Sequence, residues 1–315
     1  MSDADGPVRQ EQTQDQTQGQ ALNPVVRAWC YVQYLLFRAL LFVIGVMPLG
    51  ISLGIMSGLA RVAFWVLRTR RRNTIENVLQ SSITDDPREA KRIAAAAFRT
   101  FLIMITEAMI ARQRLSAANW KDHVQVNLHP EVRALLNDPD QGVLVATAHV
   151  GNWEILARAA SMVKLLRAIY RPFNNPYFDE AIRQDREGEN LTLIAKYDAD
   201  PMRFIRTLTE GEVLAIMIDQ HAGNGIYVDF FGRPAKTTTT VAMLHLVARV
   251  PLVVAYAVRT GPLQYELRSG PPLSFQRSGN REDDVREITQ ALTRGIEDIA
   301  REHPEQYMWG HRRWK

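Results

Sequence analysis

The segment AHVGNWE, residues 148–154, follows the apolar run GVLVATA with a histidine and a carboxylate in HxxxxE spacing. A neutral imidazole is suited to take the proton of an alcohol near neutral pH, so His149 is a candidate general base. If a helix begins near Gly151, Glu154 lies on its first turn and can hold the imidazole in one tautomer. The free N–H groups of that helix favour developing negative charge near His149. The alternatives are a strand-end histidine that bonds its neighbours and a carboxylate that compensates a helix N-terminus.

Two further polar residues follow apolar runs. Arg171 opens the segment RPFNNP after LLRAIY, where its guanidinium can bind a phosphate in bidentate fashion or lie on the surface as an ordinary arginine. Asp219 ends the apolar run VLAIMI and precedes a glycine-rich segment. We expect the apolar segment YVDFFG that follows to form a loop over an apolar substrate. We expect the threonine run to cap the next helix.

Other classes of chemistry lack their signatures in this sequence. It has no GxSxG motif, and its single cysteine, Cys30, lies in an apolar stretch, which favours direct attack by a bound alcohol over a covalent acyl-enzyme. No zinc-ligand cluster and no glycine-rich phosphate loop is present, so we expect neither a metal nor an organic cofactor.

The strands and helices that position these residues can be predicted from the pattern of apolar residues beyond residue 130. Short Val- and Ile-rich runs at 142–148, 165–171, 191–195, 212–219 and 251–259 alternate with helical patterns. This alternation predicts an α/β fold with a mostly parallel central sheet flanked by helices. Ligands of such sheets bind beyond the carboxyl ends of the strands, where His149 and Asp219 both fall.

The N-terminal part has a different character. We expect a disordered polar tail over 1–22, membrane-anchoring helices over 23–78 and an α/β domain over 79–315. The uncharged stretch 39–60 is interrupted by Pro48 and Gly50. It forms either one kinked membrane span, or a helix over 24–47 followed by an amphipathic helix over 51–77 on the bilayer; a buried core pair is the third alternative. A further helix is expected within 82–118, with Asp85, Asp86 and Pro87 at its start.

Basic residues follow the anchor directly. The cluster RTRRR, residues 68–72, favours contact with anionic lipid and places that end on the cytoplasmic side. Nucleic-acid binding would explain these arginines but not the apolar anchor, so we exclude it. In the C-terminal segment PEQYMWGHRRWK we expect Trp309 and Trp314 to have structural positions.

Five ordered blocks give the chain a family resemblance. HVGNWE, YRPFNNP, DQHAG, FFGRPA with its threonine run, and PEQYMWGHRRWK resemble the late acyltransferases of bacterial lipid A biosynthesis, within the HxxxxD/E acyltransferase superfamily. The resemblance runs from about residue 24 to the end.

The resemblance implies an O-acyltransferase on the cytoplasmic face of the inner membrane. It would move a fatty acyl chain from an acyl carrier protein thioester, or from acyl-coenzyme A, to a hydroxyl of a lipid A precursor. His149 would be the general base and Glu154 its dyad partner. Arg171, Asp219 and Arg186 would bind substrate, and Asn152 would help to stabilise the oxyanion. Arg186 lies in RQDRE, where the family often has an RGR-like segment, so the sequence departs from the pattern there.

Three rival functions fit parts of the same pattern. The acceptor could be an aminolipid, a glycolipid or a lysophospholipid; water could replace the alcohol in a thioesterase; or the chain could be a non-catalytic membrane scaffold. The intact HxxxxE pair argues against a scaffold.

Overall fold

The computed structural model describes residues 23–188, 190–196 and 200–314. The polar tail predicted over 1–22 therefore lies outside the described residues. The helices are α1 (Pro24–Val46), α2 (Leu49–Val66), α3 (Arg68–Gln80), α4 (Pro87–Arg114), α5 (Trp120–His123), α6 (Pro130–Asn137), α7 (Trp153–Ser161), α8 (Pro176–Arg186), α9 (Pro201–Thr209), α10 (Thr240–Ala248) and α11 (Arg281–Glu302). The strands are β1 (Val124–Asn127), β2 (Val143–Thr147), β3 (Leu166–Tyr170), β4 (Leu191–Ala195), β5 (Val213–Met217), β6 (Ile226–Phe230), β7 (Arg233–Thr237), β8 (Leu252–Gly261) and β9 (Gln264–Ser269).

The apolar N-terminal stretch forms two helices rather than one kinked span. The side chain of Asn23 accepts from the backbone N–H of Val25 and caps α1, which ends before Pro48. The amphipathic helix expected over 51–77 is divided at Leu67 into α2 and α3.

Apolar side chains of α1 and α2 face outward. Trp29 is 60% exposed, and Phe42 and Trp65 are each 70% exposed. Both helices, together with Pro87–Ala111 of α4, are long and apolar enough to cross a membrane by length and composition. The alternative of a buried core pair is therefore wrong. Large apolar side chains exposed in such number along two helices are typical of contact with lipid.

The helix expected within 82–118 is α4. Its N-terminus forms where predicted: Pro87 occupies the first turn, and Asp86 Oδ1 accepts from the backbone N–H of Arg88 at 2.9 Å.

The central sheet has seven strands in the order β1-β9-β8-β2-β5-β3-β4. Each neighbouring pair is parallel except the β8–β9 hairpin. The five predicted strands are present as β2, β3, β4, β5 and β8, which confirms the fold class. Along β2, Leu144 and Ala146 belong to one buried cluster, whereas Val143 and Val145 pack with another on the opposite face. Helices cover both faces, as a mostly parallel sheet requires.

The loop expected over a substrate is instead a β-hairpin. Strands β6 and β7 pair in antiparallel fashion across Phe231 and Gly232, which both have positive φ, as a two-residue hairpin turn needs. Phe230 and Phe231 are buried against the aromatic rings of Trp309 and Trp314. Phe230 and Phe231 therefore belong to the core, and both tryptophans have the expected structural positions.

Gly151 lets the chain turn from β2 into α7 against the edge of β8. Its φ is +53°, and an added Cβ would lie 1.8 Å from the carbonyl oxygen of Ala257. The backbone N–H of Asn152 donates to this same oxygen at 2.8 Å. A side chain at position 151 would therefore push α7 away from the sheet.

We expect Gly151→Ala to lower the free energy of unfolding by at least about 2 kcal/mol, because a left-handed conformation and a backbone clash combine. Urea unfolding in detergent, followed by circular dichroism, measures this loss. Gly270→Ala is the matched control, since no atom lies within 4 Å of an added Cβ there. Equal stability of the two variants would contradict the assigned role of Gly151.

Candidate functional site

The site forms at the carboxyl edge of the parallel strands. β2 and β5 pair in register from Val143 with Val213 to Thr147 with Met217. His149 and Asp219 each come two residues after the last of these pairs, so the register brings them together. The sheet thereby joins two residues that are 70 positions apart in the chain.

Asp219 holds His149 through two hydrogen bonds. Its Oδ1 lies 2.9 Å from Nδ1 of the imidazole, and its Oδ2 accepts from the backbone N–H of His149 at 2.9 Å. Burial by itself raises the pKa of this carboxyl, but the charge and hydrogen bonds of His149 outweigh it, so the pKa lies below the usual 3.8. Asp219 is therefore an anion at neutral pH, and a neutral imidazole beside it carries its proton on Nδ1.

The structure places Glu154 elsewhere. Its carboxylate accepts from Nε1 of Trp153 at 3.0 Å and pairs with the guanidinium of Arg186. The Trp153 ring lies edge-on to the imidazole of His149, with ring centroids 4.9 Å apart. Glu154 thus supports the ring that packs on His149, whereas the carboxylate that holds the imidazole, a role predicted for Glu154, is that of Asp219. The reason is that Nδ1 points toward Asp219, which follows the end of β5.

Asn152 is a structural residue, which corrects the expectation that it binds substrate. Its side chain is 2% exposed. Oδ1 accepts from the backbone N–H of Ile155 and caps α7, while Nδ2 donates to the carbonyl of Met104 and to the hydroxyl of Tyr265, each at 3.1 Å. A side chain so fully used cannot also receive an oxyanion.

A buried network extends from Asn152. The Tyr265 hydroxyl donates to the carboxylate of Glu107, which also accepts two hydrogen bonds from the guanidinium of Arg259 and one from the backbone N–H of Leu263. Glu107 is fully buried on α4. The network ties the apolar helix α4 to the β8–β9 hairpin and to the start of α7.

The two predicted arginines differ in their surroundings. Arg171 follows the last residue of β3 and is exposed at the same carboxyl edge as Asp219. Arg186 ends α8, and its guanidinium pairs with Glu154, with both side chains 24% exposed. The structure therefore gives Arg186 a carboxylate partner within the protein.

The C-terminal segment 303–314 contributes residues that the sequence reasoning did not assign to the site. The backbone N–H of Met308 donates to the carbonyl of His149 at 2.9 Å. Tyr307 is buried beside Asp219; burial, and then the charge of Asp219, raises the pKa of its phenol well above 10. Gln220 Nε2 lies 3.1 Å from Nε2 of His149 and 3.0 Å from Nε2 of His311. The only sequence signal for these residues was their place in the DQHAG and PEQYMWGHRRWK blocks.

No group of three or more His, Cys, Asp and Glu side chains is arranged to hold a metal ion within the part of the chain that the structure describes.

The chain is similar to several known acyltransferases. The lipid A biosynthesis lauroyltransferase of Escherichia coli strain K12 is 28% identical over 203 residues, which cover 63% of this chain and 63% of that protein. The E. coli K12 lipid A biosynthesis palmitoleoyltransferase and the lipid A biosynthesis acyltransferase of Shigella flexneri are each 24% identical over 180 residues, or 56% of either chain. The matched segments thus span less than two thirds of these relatives.

Among solved structures, a 1-acyl-sn-glycerophosphate acyltransferase from Thermotoga maritima aligns over 78% of this chain and 95% of its own, at 13% identity and a TM-score of 0.34. The model of the family described as bacterial lipid A biosynthesis acyltransferase matches residues 22–315. Since this match includes the whole of the site and of the sheet that builds it, the chain belongs to that family.

Proposed function

We propose that the protein transfers a fatty acyl chain from a thioester to a hydroxyl of a lipid A precursor. The observation that carries this proposal is the buried Asp219 carboxylate on Nδ1 of His149, which leaves Nε2 with a lone pair at the open edge of the sheet. The names of the relatives support the acceptor, and the donor is proposed to be acyl carrier protein or coenzyme A.

In the proposed reaction, His149 Nε2 takes the proton of the acceptor hydroxyl while the hydroxyl oxygen attacks the thioester carbonyl carbon. A C–O bond forms, the C–S bond breaks, and the proton passes from His149 to the leaving thiolate. Asp219 stabilises the imidazolium that exists between the two proton transfers. Tyr307 keeps its proton at all physiological pH values, so it adds no negative charge beside Asp219.

The developing oxyanion is proposed to lie at the start of α7. The first N–H groups of a helix have no acceptor within it. Asn152 caps the N–H of Ile155, and the backbone N–H groups of Gly151 and Asn152 are bound to Gln306 and Ala257. The amides of Trp153 and Glu154 are the pair we assign to the oxyanion.

The remaining predicted residues have supporting roles in this proposal. Arg171, exposed at the carboxyl edge, is proposed to contact a phosphate of the substrate. Glu154 and Arg186 are proposed to hold Trp153 against His149, rather than to bind substrate directly.

The protein is proposed to act at the cytoplasmic face of the inner membrane, with α1 and α2 against lipid. At the end of α2, an open cleft of about 520 Å³ is lined by Arg68, Arg71 and Arg72, together with Thr69, Ile75 and Glu76. Such a basic surface suits an anionic membrane surface or the acidic face of a carrier protein.

Purified protein in detergent, given lauroyl-carrier thioester and a lipid A precursor, should form an acylated lipid detectable by mass spectrometry. We expect His149→Ala to lower the rate about 10²–10⁴-fold while circular dichroism shows an unchanged fold. Full activity of a folded His149→Ala variant would rule out the mechanism. Thioester loss without acylated lipid would indicate a hydrolase, and acylation of lysophosphatidate or an aminolipid would reassign the acceptor.

Two conservative variants separate the roles of the carboxylates. Asp219→Asn places a donor at Nδ1 and favours the other imidazole tautomer, so we expect kcat to fall about 10²–10⁴-fold. Glu154→Gln keeps an acceptor for Trp153 and loses only the ion pair with Arg186, so kcat should fall about tenfold or less. Steady-state rates decide between the two, and a larger loss in Glu154→Gln would restore Glu154 as the partner of His149.

Arg68→Glu tests the docking of a carrier protein. Glutamate suits the first turn of α3, so the fold should persist, while the reversed charge should raise KM for the carrier thioester about three- to tenfold at low salt. Arg294→Glu, at an exposed position on α11, is the matched control. An equal KM for both variants, or a rise that high salt does not diminish, would contradict docking at this cluster.

A further inference from the structure

Two arginines and two tyrosines form one row along helix α1: Arg27, Tyr31, Tyr34 and Arg38. These positions are separated by steps of four, three and four residues, so they share one face of a helix with 3.6 residues per turn. The ring centroids of Tyr31 and Tyr34 are 6.1 Å apart, and the guanidinium of Arg38 lies 6.0 Å from the centroid of Tyr34. We call these four residues the Arg–Tyr row.

The opposite face of α1 is apolar and exposed. Val25 is two residues, or about 200° of helical rotation, from Arg27. Leu36 and Val43 follow on the same side as Val25, and all three side chains are exposed. Charge and apolar surface are thus separated across the width of α1 rather than along its length, which is typical of a helix that lies in a membrane interface.

The α/β domain contacts α1 along most of its length. Near the N-terminus, Nδ2 of Asn175 donates to the carbonyl of Cys30 at 2.9 Å, and Nε of Arg27 donates to the hydroxyl of Tyr177 at 3.1 Å. Near the C-terminus, Ile44 is buried in a cluster that includes Ile110 of α4. Both ends of α1 are therefore attached to the same domain.

The helix that packs on the middle of α1 carries charges. The rings of Phe37 and Phe178 of α8 meet edge-on, with centroids 4.8 Å apart. The next turn of α8 carries the exposed ion pair of Glu180 and Arg183. If α1 crossed the membrane, this pair would be drawn toward the hydrocarbon core, and Arg38 would lie about 5 Å from the midpoint of the helix. Charges at that depth are costly, so the contacts of α1 oppose the span that its composition would permit.

We propose that α1 lies in the plane of the bilayer and does not cross it, with the Arg–Tyr row at the level of the lipid phosphates and the opposite face among the acyl chains. Guanidinium groups bind phosphate oxygens, and tyrosine rings favour the membrane–water interface. In this orientation α1 contacts a single leaflet. The inference rests on the proposed contact of α1 with lipid.

Spin labels measure the depth of α1 in the full-length protein, reconstituted in vesicles of phosphatidylethanolamine and phosphatidylglycerol. Cys30 is the only cysteine of the chain, so Cys30→Ser provides a background for single labels. Val25→Cys, Leu36→Cys and Val43→Cys place one nitroxide near the start, the middle and the end of the apolar face. Gln125→Cys, at an exposed position on β1, is the control. Accessibility to oxygen and to a nickel chelate gives the depth of each label.

We expect the three labels on α1 to lie at one depth in the bilayer, within about 5 Å, the radius of a helix with its side chains. The control label should lie in water. A span would place the label at position 36 about 10 Å or more deeper than the other two, since 11 residues of helix are about 16 Å long, and would overturn the proposal. Labels on α1 as accessible to nickel as the control would overturn the contact with lipid itself. Neither result changes the transfer assay, so the acyl transfer is judged separately.

Partition between vesicles of phosphatidylglycerol and of phosphatidylcholine tests the charge of the Arg–Tyr row. The double variant Arg27→Gln, Arg38→Gln removes two positive charges, and the matched control Arg281→Gln, Arg294→Gln removes two from exposed positions on α11. We expect the first variant to lower the preference for phosphatidylglycerol about fivefold per arginine, and the control to leave it unchanged. Equal falls in both variants, or an unchanged preference in the first, would show that the row does not lie at the lipid phosphates.

Discussion

A buried carboxylate stays ionised only where donors surround it, and Asp219 meets this condition through the ring and backbone N–H groups of His149. This contact requires that β2 and β5 end at the same level, which their register provides. It also requires the sharp turn at Gly151, because the chain must leave the sheet directly after the histidine. The placement of α7, and with it of Trp153 and Glu154, follows from that turn.

The C-terminal segment closes the same site from the other side. It supplies a backbone donor to His149, a phenol beside Asp219 and the imidazole that meets Gln220. These contacts come from residues over 150 positions beyond His149. Arg313, in the same C-terminal segment, donates to the backbone carbonyl of Lys236 and so joins this segment to the β6–β7 hairpin. The site is thus assembled from both halves of the α/β domain, and its geometry depends on the complete fold.

The sequence predicted the elements whose signal is local. Apolar runs of five or more residues are strong signals, so five strands and the family resemblance were identified correctly. In β1 and β9, apolar residues alternate with polar ones, so neither strand contains an apolar run. The β6–β7 hairpin contains two core phenylalanines in a segment whose glycines and polar residues are typical of a loop. The partner of His149 was misassigned because the contact that identifies it is not local in the sequence. HxxxxE spacing is visible in one line of sequence, whereas the contact with Asp219 exists only once two strands are in register.

The network around Glu107 has a consequence for the proposed reaction at the membrane. Glu107 belongs to an apolar helix with the composition of a membrane span, yet it is locked by Arg259 and Tyr265 to the strands and, through Asn152, to the first turn of α7. Along this path the contacts join that helix directly to the turn that carries His149. In the proposed reaction at the membrane, the depth of the imidazole relative to the bilayer would therefore be fixed when the chain folds. An acceptor would need to present its nucleophile at that one depth, so depth in the membrane would select acceptors before they contact the site.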